Sequence, residues 1–285
     1  MPVSEEPPFA GKLLGRVTVR LGSGPVIAAV LLLLWEIVIW VLQVRSSALP
    51  APSRVLLEIW REAPQLRNHA WVTGLESLEG LLFAGAAGFL LAILNGWSTR
   101  ARGVAVPVLS FLQKLPLLVL APLVVLWLGL GAAPAAAVSF LVCFPFLAAY
   151  LQAGFDSVPV DIVEILQTMG AGPLRIFLKV HLPACVPYMT RAVKLSVTLA
   201  LAGAMVTEWV GSDNGLGYLM LYAGAKADSA QLFAALTVVV LMALGAYYAI
   251  CLIERAWISW PAPVPPWIDL VRQNSLKGFS LNRRV

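Results

Sequence analysis

Residues 156–194 read DSVPVDIVEILQTMGAGPLRIFLKVHLPACVPYMTRAVK, and this stretch decides how the rest of the chain is read. It is the only long segment between apolar runs that carries both dense charge and helical patterning. Asp156, Asp161 and Glu164 stand ahead of an apolar stripe, which reads as a helix start, and Gly170-Ala171-Gly172-Pro173 breaks it. Leu174, Ile176, Phe177, Leu178 and Val180, with Arg175 and Lys179 four apart, predict a second short helix that stops before Pro183. A helix pair held between two apolar spans can transmit force or dock a partner. An ordinary helical loop carries the same pattern, and pattern alone does not separate the two.

The surroundings of that stretch are those of a membrane protein. Of 285 residues, 60% are hydrophobic and only 12% charged, with a mean hydropathy of +0.84. Charges cluster between apolar runs, as a polytopic membrane chain requires. The net charge of +5 is explained by bases flanking spans. It lacks the aromatic-interleaved basic patches of a nucleic-acid binder, so no nucleic-acid partner is expected. Cys143, Cys185 and Cys251 are far apart and match no metal or disulfide spacing, so they read as small packing residues.

Working outward, six apolar spans are expected, over about 25–44, 73–97, 104–128, 135–152, 193–210 and 232–253. The first is too long for a cleavable signal core and carries Glu36, so it reads as a retained span. Val55, Leu56, Ile59 and Trp60, spaced helically among Arg54, Glu58, Arg61 and Glu62, predict an amphipathic interfacial helix. Pro107, Pro116 and Pro122 predict a kinked or broken third span. One membrane domain (25–255, with its charged loop at 156–191) lies between an N-terminal tail (1–24) and a C-terminal tail (256–285). Both tails are placed in the cytoplasm. That orientation collects Arg100, Arg102, Arg175, Lys179, Arg191, Lys194, Arg255 and the bases of both tails on the inner side.

Chemistry-bearing residues are few. Lys114, with Gln113 beside it, falls near mid-depth of the third span, where an ionisable side chain costs about 2.5–3.5 kcal/mol to insert. One reading is a cation on a polar substrate pathway; the other is a lysine that snorkels or pairs with a glutamate. Glu36, Glu76, Glu79 and Glu208 lie in or at the ends of spans. Glu76 and Glu79, one turn apart, fit ion pairing or interfacial placement better than acid–base work. His69 and His181 are isolated, and no metal site is expected. The chain contains no G-x4-G-K-[S/T] phosphate loop, which excludes ATP hydrolysis by this chain itself. It is not expected to be an enzyme.

Glu164, Gly170, Val180, Leu182 and Pro183 have the spacing E-A-A-x3-G-x9-I-x-L-P, which resembles the EAA signature of ABC-transporter permeases. Ile165 and Leu166 stand where that signature has alanines. A second segment, Pro116 through Pro122, Leu123 and Trp127 to Gly129, is similar to the P-x5-P-L-x3-W-x-G run of one importer subfamily. A third, Glu208 through Gly211 to Gly215-Leu216-Gly217-Tyr218, is similar to its E-x-x-G-x3-G-L-G-Y segment. Leu49-Pro50-Ala51-Pro52-Ser53-Arg54-Val55 is a shorter likeness. Together the likenesses cover roughly residues 30–255.

The resemblance implies an all-α polytopic inner-membrane subunit of a prokaryotic importer, with six transmembrane helices and a cytoplasmic coupling-helix loop. Its partners would be two ABC ATPase subunits, a second copy of the permease as a homodimer, an extracytoplasmic solute-binding protein and membrane lipid. ATP and Mg would be bound by the ATPases, with no cofactor in this chain. Glu164, Gly170, Ala171, Arg175, Lys179, Leu182 and Pro183 would form the coupling site, with Pro183 fixing the return to the membrane. Gln113, Lys114 and Glu208 would serve the substrate pathway or its outer gate. The solute class would be a pyrimidine thiamine precursor, a flavin, a sulfonate or taurine, or nitrate. The alternative is an ATP-independent secondary transporter or channel, which predicts ionisable residues in several spans and repeated halves.

Overall fold

The computed structural model describes residues 23–43, 48–97 and 99–257. The described residues form helices and no strand. In chain order these are α1 (Ser23–Leu42), α2 (Pro52–Arg61), α3 (Ala63–Trp97), α4 (Thr99–Leu112) and α5 (Ala121–Leu128). There follow α6 (Ala132–Asp156), α7 (Val160–Thr168), α8 (Pro173–Ile176), α9 (Leu182–Gly211), α10 (Leu216–Ala225) and α11 (Ser229–Trp257). The tails and the bases they contribute to the charge asymmetry lie almost wholly outside the described residues.

α3, α6 and α9 form the centre of the bundle. Lipid is as apolar as leucine, so helices in a membrane are held by close packing and by polar groups that bridge them. Both devices converge on Ser139 of α6. A methyl group on Gly80 of α3 would overlap the Ala136 carbonyl and the Ser139 side chain, and one on Gly203 of α9 would lie 3.0 Å from the Ser139 Cα. The Ser139 hydroxyl donates to the Ala200 carbonyl at 2.9 Å, and one turn on the Cys143 thiol donates to the Ser196 carbonyl at 3.3 Å. Glycine here sets the spacing of three helices.

Four helical runs are long and apolar enough to cross a membrane: 63–96, 132–156, 173–211 and 229–256. Val26–Leu42, Leu118–Leu128 and Leu216–Ala225 are apolar but shorter. The expected third span is in two pieces. α4 stops at Leu112, the chain leaves the helix before Pro116, and a 3₁₀ turn at Leu117–Leu120 leads into α5. Proline removes a donor and pushes its predecessor out of the helical region, which accounts for a break at this position.

The amphipathic helix expected near 55–60 is α2, and its apolar residues divide between protein (Val55, Ile59) and the exterior (Leu56, Trp60). Val55 is buried with Leu66, Leu216, Leu219, Ala234 and Ala235, while Trp60 faces outward. Glu36 of α1 accepts from the Ser53 backbone N–H (3.1 Å) and hydroxyl (2.7 Å). A carboxylate thereby satisfies a free donor in the first turn of α2.

Candidate coupling segment and polar sites

After α6, Pro159 turns the chain into α7, which lies outside the bundle and buries none of its residues. Val160, Ile165 and Met169 are 68%, 59% and 78% exposed, and Glu164 is exposed among them. α7 ends on Gly170, whose φ of +83° is the left-handed conformation that suits glycine. The Ala171 N–H donates to the Leu166 carbonyl (3.0 Å) and the Gly170 N–H to the Gln167 carbonyl (2.9 Å). This is a Schellman closure, and it gives the glycine six residues after Glu164 a local cause.

The second helix does not stop before Pro183. α8, beginning with Pro173 at its first position, passes through a π-turn at Phe177–His181 directly into α9. Residues 173–211 are therefore one helical rod. The reason lies in proline's own geometry. Pro183 lacks an N–H and its ring crowds the carbonyl four residues back, and the widened π-turn ahead of it absorbs the mismatch. Pro183 and Leu182 are half-buried within the rod, Arg175 and Lys179 are exposed on it, and Ala171 is half-buried in the preceding turn.

One aromatic hinge ties this segment to the bundle. Ile176 is buried, and Phe155 packs against Phe89, Phe177 and His181 with ring centroids 6.0, 5.7 and 6.3 Å apart. Beside it, a cavity of about 570 Å³ is edged by a polar chain. Asn95 Nδ2 donates to Gln152 Oε1 (3.0 Å), Gln152 Nε2 donates to Asp156 Oδ1 (3.0 Å), and Arg102 pairs with Asp156 Oδ2 (2.7 Å). These four residues link α3, α4 and α6 at the root of the protruding segment. Nothing in the sequence pattern marks this chain, because its members come from three helices far apart in sequence.

Gln113 and Lys114 sit at the helix break. Gln113 Nε2 donates to the Pro145 carbonyl in α6 at 3.0 Å, and Lys114 is exposed. The break is thus pinned to the proline-bearing part of a neighbouring helix.

Glu208 lies at the opposite end of α9 and is 1% exposed. It accepts from the Thr73 hydroxyl (2.6 Å) and from the Gly217 N–H (2.6 Å). The Leu216 N–H donates to Thr73 Oγ1 (2.8 Å), and the Gly215 N–H donates to His69 Nδ1 (3.0 Å). His69, Thr73 and Glu208 therefore cap the first turn of α10. Gly215 has φ +103°, and a methyl group there would occupy the space of the Glu208 carboxylate. Glu76, expected in an ion pair or at an interface, is instead 3% exposed, and its Oε2 has no hydrogen-bond partner. Among the described residues no group of three or more His, Cys, Asp or Glu side chains is arranged to hold a metal ion.

Bundle helices long and apolar enough to cross a membrane, with the unburied α7 beside them, define a polytopic membrane protein. The family described as "Binding-protein-dependent transport system inner membrane component" matches residues 84–257. A "Probable ABC transporter permease protein" of Haemophilus influenzae is 35% identical over 232 residues, covering 81% of this chain and 95% of that protein. The chain belongs to this family of ABC importer permeases, which are transport components and not enzymes. The formylaminopyrimidine transport permease protein ThiX of Halalkalibacterium halodurans is 28% identical, covering 81% of this chain and 94% of that one. Other relatives are named for riboflavin, aliphatic sulfonate and taurine transport. Inward-facing crystal structures of the MetNI methionine ABC transporter share the fold. One matches with a TM-score of 0.54 at 19% identity, over 70% of this chain and 96% of that one.

Proposed function

We propose that this chain forms the membrane pathway for a small organic or anionic solute and couples it to ATP hydrolysis carried out by two separate ATPase subunits. The observation that carries this reading is α7, a helix outside the bundle whose exposed face is apolar around Glu164. An apolar patch rimmed by charge marks a protein interface. Val160, Ile165 and Met169 supply the buried contact, and Glu164, Arg175 and Lys179 supply register at its rim. Gly170 and Ala171 form the turn, and Leu182 and Pro183 belong to the rod that carries force inward.

The assembly contains a second copy of the chain, with an extracytoplasmic binding protein delivering solute. ATP and Mg reside in the ATPases. The chain crosses the inner membrane six times with both termini in the cytoplasm, counting α1 and the broken α4–α5 pair with the four long runs. Lys114 and Gln113, at the break, face the pathway between the two copies, and Glu208 holds the outer gate by capping α10. The solute is a pyrimidine thiamine precursor or related heterocycle. The likeness to ThiX, over 81% of this chain, supports that class, and Lys114 equally suits a sulfonate or nitrate.

Tagged protein expressed with the ATPase encoded beside it tests the coupling surface. Wild type is expected to retain the ATPase through purification, and Glu164→Arg is expected to lose it while remaining folded in the membrane. A folded wild type that retains no ATPase overturns the proposal.

A further inference from the structure

One face of α9 packs against α11, and the register of that contact sets where the chain leaves the bundle. The two helices run antiparallel. Val197 and Leu201 share a wall with Met242 and Ala246. Further along, Lys194 lies 5.9 Å from the Tyr247 ring centroid and pairs with Glu254, which also accepts from the Thr190 hydroxyl at 3.1 Å. As α11 advances toward its end, its contacts step back along α9 from Leu201 to Thr190.

α11 ends at Trp257, just past Glu254. The next positions on the same face of α9 are Pro187, Ala184 and Pro183, spaced three and four apart. They line an open groove of about 440 Å³, whose other wall is Val158, Pro159 and Ile162 of the α6–α7 turn. The groove is almost entirely apolar, and Ile162 is 45% exposed within it.

The sequence that follows α11 is Ile258-Ser259 and then Trp260-Pro261-Ala262-Pro263-Val264-Pro265-Pro266-Trp267. A strand so rich in proline favours the polyproline II helix, which repeats every three residues and needs no ordering of its own. Pro261, Val264 and Trp267 then share one edge. Eight residues in this form extend about 25 Å, whereas Pro183 to Pro187 occupies only about 6 Å of helix. The connecting pair gives a reach of about 7 Å.

We propose that residues 260–267 dock in this groove as a polyproline strip, so that the C-terminal segment braces α7 against the foot of α9. The two surfaces are matched in composition, apolar and proline-rich on both sides. The groove also begins one turn along α9 from Thr190, which the last turn of α11 contacts through Glu254. No solute or ATPase is needed for the contact, so it stands apart from the coupling reading above.

The test places a photo-crosslinker in the full-length protein, in membranes, without partner subunits. Val264→p-benzoylphenylalanine is expected to crosslink within its own chain to peptides of residues 157–187. Ile162→Asp, on the half-exposed wall of the groove, and separately Trp267→Asp, in the proposed docking segment itself, are each expected to lower that yield about tenfold, the equivalent of losing one buried apolar side chain. The proposal is overturned if the crosslinks go to lipid or to a second copy. It is equally overturned if their yield is no higher than from the same probe at Leu281, or if neither aspartate substitution lowers it.

Discussion

Glu208 shows how a charged residue inside a membrane protein can be structural in its contacts. Its two oxygens accept from Thr73 and from the backbone of Gly217, and with Thr73 and His69 it caps the first turn of α10. Glu208→Ala removes one acceptor from each of those donors in a buried site, at a cost of about 1–3 kcal/mol. The expected readout is a lower Tm in detergent, with Glu208→Gln falling between wild type and alanine because its amide oxygen still accepts one bond. Gly170 makes a second prediction at this scale. Its φ of +83° is strained for any β-carbon, so Gly170→Val is expected to cost about 1–2 kcal/mol locally. Retention of the ATPase should fall, while membrane insertion, measured by protease protection, stays unchanged. Gly170 and Gly215 are both legible in the sequence as turn signals. The partners of the second turn are not, because Thr73 lies 135 residues from Glu208 and nothing local marks it.

At the scale of elements, small residues decide spacing and prolines decide continuity. Gly80 and Gly203 both face Ser139, so the α3–α6–α9 crossing has no room for a larger side chain. Gly80→Leu is expected to abolish the monodisperse detergent-solubilised species, whereas Gly85→Leu, where a methyl group meets nothing within 4 Å, is expected to leave it intact. Size-exclusion profiles of the two variants check this. Prolines are legible where they break a helix and misleading where they do not. Pro116 ends α4 as its sequence context suggests. Pro183 leaves the rod unbroken because a π-turn accommodates it, and sequence periodicity carries no signal for that widening. α10 is equally hidden, since its ten residues follow a glycine cluster that reads as a tight turn.

Across the whole molecule, composition and the charged stretch at 156–194 are enough to announce a helical membrane protein with a protruding segment. Depth is what a sequence does not carry. Counting places Lys114 at mid-depth only if its span is continuous, and the span is discontinuous there. A functional expectation for this residue stands regardless of its depth. Lys114→Met is expected to leave ATPase retention unchanged and to lower uptake of a labelled aminopyrimidine or sulfonate about tenfold or more, equivalent to losing about 1.4 kcal/mol of interaction with an anionic or polar solute. Uptake assays in reconstituted vesicles check it.

The unbroken helix from Pro173 to Gly211 has a mechanical consequence. Its 39 residues measure about 58 Å at 1.5 Å per residue, nearly twice the hydrocarbon thickness of about 30 Å. Standing upright, such a helix exceeds the hydrocarbon layer by about 28 Å, close to half its length. On the proposed coupling, a displacement imposed on Arg175 and Lys179 is carried along a single continuous helix to Glu208 near its other end.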